Sequence, residues 1–181
     1  MKKLAYVFLA VLMIGTVVIA KDNPMVGGAP MLPTKDIVSN AVNSADHTTL
    51  VAAVKAAGLV ETLQSPGPFT VFAPTNEAFA KLPAGRVETL FKPENKDTLT
   101  KVLTYHVVTG KISSKDLWKA VKAGNGTATL KTVSGGTIKL TSMGKEIILI
   151  DEKGGMSRVT IADVYQSNGV IHVVDAVLLP N

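Results

Sequence analysis

The apolar residues of this chain keep one period up to about Val121 and another beyond Gly124, and that switch limits the fold more than any single motif. In the first stretch the spacing is helical. Ile37, Val38, Ala41 and Val42 fall on one face behind Thr34, a potential N-cap. Leu50, Val51 and Val54 repeat the pattern, and Gly58 is placed to end that helix in a left-handed conformation. Pro66-Gly67-Pro68 is a hard break, after which Phe69–Ala73 reads as a short buried strand stopped by Pro74. Thr75 can cap a helix carrying Ala78, Phe79 and Leu82, with Glu77 favourably charged in its first turn. Pro93 and Glu94 open a helix with Leu99, Val102 and Leu103. Ser113 to Asp116 then resembles a capping box ahead of Leu117, Trp118 and Val121.

Past Gly124 the period is two. Ala128, Leu130 and Thr132 alternate with Thr129, Lys131 and Val133, and Ile138 and Leu140 continue the alternation after the turn Ser134-Gly135-Gly136. Ile147–Ile150 is a solidly apolar strand, Val159 and Ile161 mark a short one, and Val170–Leu179 is the most apolar of all. Asn168-Gly169 is a tight-turn dipeptide just before it. Strands separated by Gly-rich turns imply antiparallel pairing rather than crossover units, so the expected class is α+β. The chain shows no internal repeat.

The N-terminus reads as an address. Met1-Lys2-Lys3 is a short positive region, and residues 4–20 carry no charge and close on Val18-Ile19-Ala20. Compact residues at −3 and −1 suit a secretory signal peptide over residues 1–20, cleaved before Lys21. The alternative is a retained anchor, although a run of about 17 residues sits at the lower limit for crossing a bilayer. Residues 21–33 hold three prolines and two glycines without periodicity and are expected to form a flexible lead-in to a fold spanning 34–181. Loss of Lys2 and Lys3 takes the 19 basic residues to 17 against 14 acids, so the processed protein is close to charge-balanced. With aromatics at 5% and scattered basic residues, nucleic-acid binding is not expected. No membrane span is expected after cleavage.

The residue inventory excludes more chemistry than it suggests. The chain has no cysteine, which removes disulfides, thiolate metal sites and a cysteine nucleophile. His47, His106 and His172 never pair at helical ligand spacing. Gly110-Lys111-Ile112-Ser113 lacks the glycine that a phosphate loop needs five residues earlier, where Tyr105 stands. There is no nucleophile elbow. Asp151-Glu152 sits in a turn, Asn125-Gly126-Thr127 reads as a turn, and His172 within Val170–Val174 reads as a core histidine. No cofactor, no metal and no enzymatic activity are expected.

Three blocks carry a resemblance. Gly67-Pro68-Phe69-Thr70-Val71-Phe72-Ala73-Pro74-Thr75-Asn76-Glu77-Ala78-Phe79 closely resembles the first signature block of the fasciclin (FAS1) domain family. Leu103-Thr104-Tyr105-His106-Val107-Val108 resembles its Tyr-His motif, and Asn168 to Pro180 resembles its second block. With the opening helices, the likeness covers about residues 34–181 and is to secreted, single-domain bacterial members.

The resemblance implies a wedge-shaped antiparallel β-sandwich flanked by N-terminal helices. It also implies a secreted, periplasmic or extracellular module for adhesion or recognition, meeting a cell-surface or matrix protein or polysaccharide and acting as a monomer. In animal members an Asp-Ile pair before the second block and the Tyr-His region have been ascribed contact roles. The matching positions are Asp163-Val164, where valine replaces isoleucine, and Tyr105-His106. Tyr165 beside them is a natural interface anchor, since tyrosine is enriched among residues that dominate binding. The expected binding residues are therefore Tyr105, His106, Asp163, Val164 and Tyr165. A carrier of a small apolar ligand, lipid or pigment, and a secreted hydrolase are the alternative readings.

Overall fold

Residues 23–181 are described by this computed structural model; the expected signal segment, residues 1–20, lies outside them. The chain starts with a two-stranded hairpin, β1 (Met25–Val26) and β2 (Ala29–Pro30). Helices α1 (Ile37–Ala41), α2 (Thr48–Ala57) and α3 (Val60–Gln64) lead to strand β3 (Phe69–Pro74). Then come α4 (Asn76–Ala80), α5 (Arg86–Leu90), α6 (Lys96–Tyr105), β4 (Val107–Thr109) and α7 (Ser114–Ala123). The strand-rich half follows with β5 (Thr127–Lys131), β6 (Thr137–Met143), β7 (Glu146–Ile150), β8 (Met156–Gln166) and β9 (Gly169–Val174).

Local chemistry sets several of these boundaries. The Thr75 hydroxyl accepts from the Ala78 N–H, and Ser113 and Asp116 close a reciprocal capping box on α7. Gly58 ends α2 at φ 74°, a left-handed conformation that glycine reaches without steric penalty. The first helix is capped two residues later than the sequence suggests. Asp36, not Thr34, accepts from the Ser39 N–H at 2.9 Å and from the Ser39 hydroxyl at 2.6 Å. A carboxylate satisfies both donors, whereas Thr34 lies in a turn.

Seven strands pair in the order β4-β3-β9-β8-β7-β6-β5. All pairings are antiparallel except β3 with β9, which run parallel from Phe69↔Gly169 to Pro74↔Val174. That exception departs from the antiparallel expectation. The two strands are joined through most of the domain rather than by a hairpin, so no turn imposes their relative direction. Both are covered on both faces, the usual condition of parallel strands.

Alternation along β3 and β9 divides the interior. Val71, Ala73, Ile171 and Val173 face a core built with the helices, including Leu50, Ala53, Val54, Leu63, Phe79 and Leu103. Phe72 and Val174 face a second core with Ile138, Leu140, Leu149, Leu117 and Tyr105. The strand β8 is longer than the expected Val159–Ile161 piece. It pairs with β7 through its first residues and with β9 through the rest, and two register shifts bend it between Val159 and Val164.

Two further differences have clear causes. Residues 23–33 do not behave as a loose lead-in: Val26 and Met31 are each only 4% exposed within the first core. The side chain of Asn23 pairs with the backbone of Tyr165. Prolines and glycines here shape a hairpin that buries two apolar side chains. At the other end, β9 stops at Val174 rather than Leu179. Side chains replace the ladder from there: Ser157 serves Ala176, His106 Nε2 accepts from Leu178, and Asp151 accepts from Leu179.

Candidate functional site

The expected binding residues gather around the bend of β8 and the end of α6, but they differ sharply in access. Tyr105 and Val164 are fully buried and His106 is 3% exposed, so none of the three presents a contact surface. Burial assigns each a structural task. The Tyr105 hydroxyl donates to the Thr137 carbonyl at 2.5 Å and accepts from the Glu152 N–H at 3.2 Å. Loss of hydration pushes its pKa up to about 12, so it stays a neutral donor. His106 Nδ1 donates to the Val102 carbonyl at 2.8 Å and Nε2 accepts from the Leu178 N–H at 3.0 Å. These partners require the neutral ring with its proton on Nδ1, and complete burial lowers its pKa to about 4.

Asp163 and Tyr165 remain half-buried. Asp163 sits at φ 60°, in the left-handed region that aspartate tolerates better than most residues. Its carboxylate accepts from the Ser114 N–H at 2.7 Å and from the Ser114 hydroxyl, and so it caps the first turn of α7 across 49 residues of sequence. Its N–H donates to Nδ1 of His172, whose Nε2–H in turn donates to the Ile112 carbonyl. The His172 ring stacks on Phe72 with centroids 5.7 Å apart, and burial lowers its pKa. The bend in β8, the start of α7 and the centre of β9 are thus one hydrogen-bonded unit.

Tyr165 is half-buried like Asp163, but its side chain makes no hydrogen bond among the described residues that would tie it into the fold. Lys111 Nζ lies 5.1 Å from its ring centroid, a cation–π contact. Partial burial, then Asp163, raises the phenol pKa. Two contributors were missed by sequence reasoning, Lys111 and Asn23, because both reach Tyr165 from distant segments. Asn23 turns its amide toward the Tyr165 N–H and C=O and so occupies a stretch of strand edge.

Two other residues were read only in part. Asn168, a tight-turn residue by its sequence context, is buried and accepts from the Ile37 N–H while donating to the Leu63 and Ser65 carbonyls. Gly67 and Gly169 let the backbones approach closely here: a Cβ on Gly67 would lie 2.3 Å from the Asn168 carbonyl oxygen and one on Gly169 2.1 Å from that of Phe69. His47 had no assigned role. Its Nδ1 meets the Ser44 hydroxyl at 2.9 Å, and its Nε2 has no hydrogen-bond partner among the described residues. It borders a cavity of about 50 Å³ under α1 and α2, otherwise walled by side chains such as Val26, Val38, Leu50 and Ile171. Among the described residues no cluster of His, Asp and Glu could hold a metal ion, and no helix is long and apolar enough to cross a membrane.

The comparisons agree with this architecture. The sequence profile of the fasciclin domain matches residues 45–180. Protein sll1483 of Synechocystis sp. is 50% identical over 145 residues, covering 80% of this chain and 73% of that protein. Immunogenic protein MPB70 of Mycobacterium bovis is 36% identical, covering 77% of this chain and 66% of its own length. A solved FAS1 domain pair from the insect cell adhesion molecule fasciclin I superimposes with a TM-score of 0.70 at 20% identity, over 80% of this chain and 51% of that one. Helices packed on a bent, seven-stranded sheet with one parallel pair, and a profile match over most of the length, lead to one conclusion: this chain belongs to the fasciclin domain family.

Proposed function

We propose that this protein is a secreted, non-enzymatic recognition module that holds a cell-surface or matrix component through its outer surface. The observation that carries the reading is membership in the fasciclin domain family, whose solved fold match is described as part of a cell adhesion molecule. The state of the histidines supports it. His106 and His172 spend both ring nitrogens on backbone partners and are held neutral by burial, so neither is available as a surface acid or base. The contact surface is assigned to Tyr165 and Lys111, with Asp163 shaping the backbone beneath them.

The test is capture of envelope and medium material from the producing cells on immobilised protein. Tyr165→Ala is expected to abolish most capture while leaving the melting temperature within a degree or two of the parent. Capture retained in Tyr165→Ala, or stability lost in parallel, moves the contact surface elsewhere.

A second reading is favoured by one observation, the cavity with the lone Nε2 of His47. A cavity with mostly apolar walls and Ser44, His47 and Lys55 among its lining residues suits a small ligand with an apolar body and a single polar group. At about 50 Å³ it accepts a short aliphatic segment and not a whole pigment. Mass spectrometry of organic extracts of protein from its native host decides this, since an empty extract removes the carrier reading.

A further inference from the structure

We infer that the groove between β7 and β8 is a binding site for an acidic polysaccharide, a polymer carrying uronic-acid carboxylates. The inference rests on the recognition reading above and gives it a second surface and a ligand class. The groove follows from the topology. β7 and β8 pair only as far as Ile148↔Arg158, after which β8 follows β9 and the strands part. A groove of about 490 Å³ opens there, bounded by Lys145 and Glu146 on one side, Arg158 and Thr160 on the other, and Ser114 and Trp118 of α7.

Its chemistry is that of a sugar site with a charge preference. Trp118 is half-buried, packed against the second core while bordering the groove. An indole fixed in this way is a rigid flat platform for the C–H face of a pyranose ring. Ser114 and Thr160 border the same groove with hydroxyls that donate to Asp163 and to the Val173 carbonyl and so offer a sugar hydroxyl only an acceptor oxygen. Cations surround the platform. Lys115 and Lys122 stand one turn before and one turn after Trp118 on α7, both exposed. Lys145 forms no ion pair among the described residues. Arg158 reaches Glu146 at 3.3 Å, both about half exposed, and keeps further guanidinium donors for a ligand carboxylate. The other nearby carboxylates are committed elsewhere, Asp116 to the capping box and Asp163 to Ser114. Hydrogen bonding blunts these carboxylates without removing their charge, so Lys115, Lys122, Lys145 and Arg158 stand against Glu146, Asp116 and Asp163 with an excess of one positive charge, and the two cations on the groove walls, Lys145 and Arg158, face a single carboxylate there. A neutral glycan would leave these cations unused, and an acidic peptide would find no deep apolar pocket for an anchoring side chain.

Trp118 is the only tryptophan of the chain, so its fluorescence reports the groove directly. Titration of the full processed protein with a linear oligogalacturonate at low salt is expected to change Trp118 emission saturably. A neutral cellulose-derived oligosaccharide of equal length is expected to leave it unchanged. Lys145→Glu, a surface change, should weaken binding about tenfold with an unaltered melting curve, the loss expected for one charge-assisted contact. Calorimetry on Trp118→Leu, which keeps an apolar side chain on the core, should show binding lost. No emission change with the oligogalacturonate overturns the inference. So does an equal response to the neutral sugar, polyglutamate or oligothymidylate, or undiminished affinity in Lys145→Glu. If the groove fails while capture of envelope material still depends on Tyr165, the recognition reading stands and this site alone falls.

Discussion

The core beneath the helices and the core inside the strand-rich half share β3 and β9 as a common wall, yet they treat polar groups and space in opposite ways. In the strand-side core the buried polar atoms are paired: Tyr105 with Thr137 and Glu152, His172 with Asp163 and Ile112, Ser157 with Ala176. In the helix-side core His47 Nε2 meets no hydrogen-bond partner of good geometry among the described residues and lies beside a cavity. The difference follows from how each layer is held. Strand ladders fix atoms to within a hydrogen bond, whereas α1, α3, α4 and α5 are five residues each and could not persist alone. That layer is instead pinned by single amides, with Asn40 meeting Gln166 and Leu32, Asn76 meeting Ala45, and Asn168 meeting three backbone groups. Pins leave space that ladders do not.

Phe72 is fully buried and stacked on His172 in the strand-side core. Phe72→Ala is expected to cost about 4 kcal/mol, the transfer loss plus a cavity that strand neighbours cannot collapse to fill. Leu50→Ala on the helix side should cost about 2 kcal/mol, the low end for such truncations, because short helices can shift to close the gap. Urea denaturation of both variants measures this. Equal costs would mean that the helical layer is as rigid as the sheet.

Acid should act next, and mainly through His106. Its folded pKa of about 4 lies below the unfolded value near 6.5, so the unfolded chain binds the proton more readily. The neutral ring's contribution is complete above pH 6.5 and is lost as pH falls toward 4, on the order of 3 kcal/mol over that window. His47 and His172 shift in the same direction through burial and add to the slope. Stability measured between pH 7 and 4 should fall steeply in the parent and less steeply in His106→Gln. An identical slope in the two proteins would assign the acid sensitivity to the other histidines.

Asp163→Ala tests the joint between the two regions. Ala loses the cap on Ser114 and must hold φ near 60° without the local hydrogen bonding that aspartate offers, for a total of about 2 kcal/mol. Asp163→Gly should recover about 1 kcal/mol of it by relieving the backbone. If Ala and Gly melt together, the backbone conformation carries no cost here. Loss of binding in Asp163→Ala must therefore be read against its stability, whereas Tyr165→Ala gives the cleaner measure of contact.

The sequence showed elements and caps well, because those depend on neighbours in the chain. Thr75, Gly58 and the Ser113–Asp116 box are local arrangements, and all three form as their spacing suggests. The parallel pairing of β3 and β9 was not legible, since period two is the same in either direction. The packing of Val26 and Met31 was hidden behind prolines and glycines that mark flexibility as readily as a hairpin. In the candidate site, Asp163 and Tyr165 could be singled out. Their partners Ser114, Asn23 and Lys111 could not, because those contacts span 49, 142 and 54 residues. Tyr105 and His106 stood out in sequence only through the Tyr-His motif, which does not tell a contact from a buried pair closing long-range hydrogen bonds inside the fold.

A single methylene is expected to act with opposite sign in the two cores. Val38 borders the helix-side cavity, and Val38→Ile places a methylene where space already exists. The gain should be about 0.5–1 kcal/mol, typical of cavity filling. Val174 is fully buried in the strand-side core, between β3, β8 and the C-terminal segment. Val174→Ile should cost about 1–3 kcal/mol, because a close-packed site must displace its neighbours to admit the added group. Paired denaturation curves read the sign directly. Stabilisation by both substitutions would mean that the strand-side core is also underfilled, and a cost from both would mean that the helical layer has no usable space around His47. Val38→Ile carries a second readout as well. If the cavity holds an aliphatic segment in the native host, the variant should be recovered without it while remaining at least as stable as the parent.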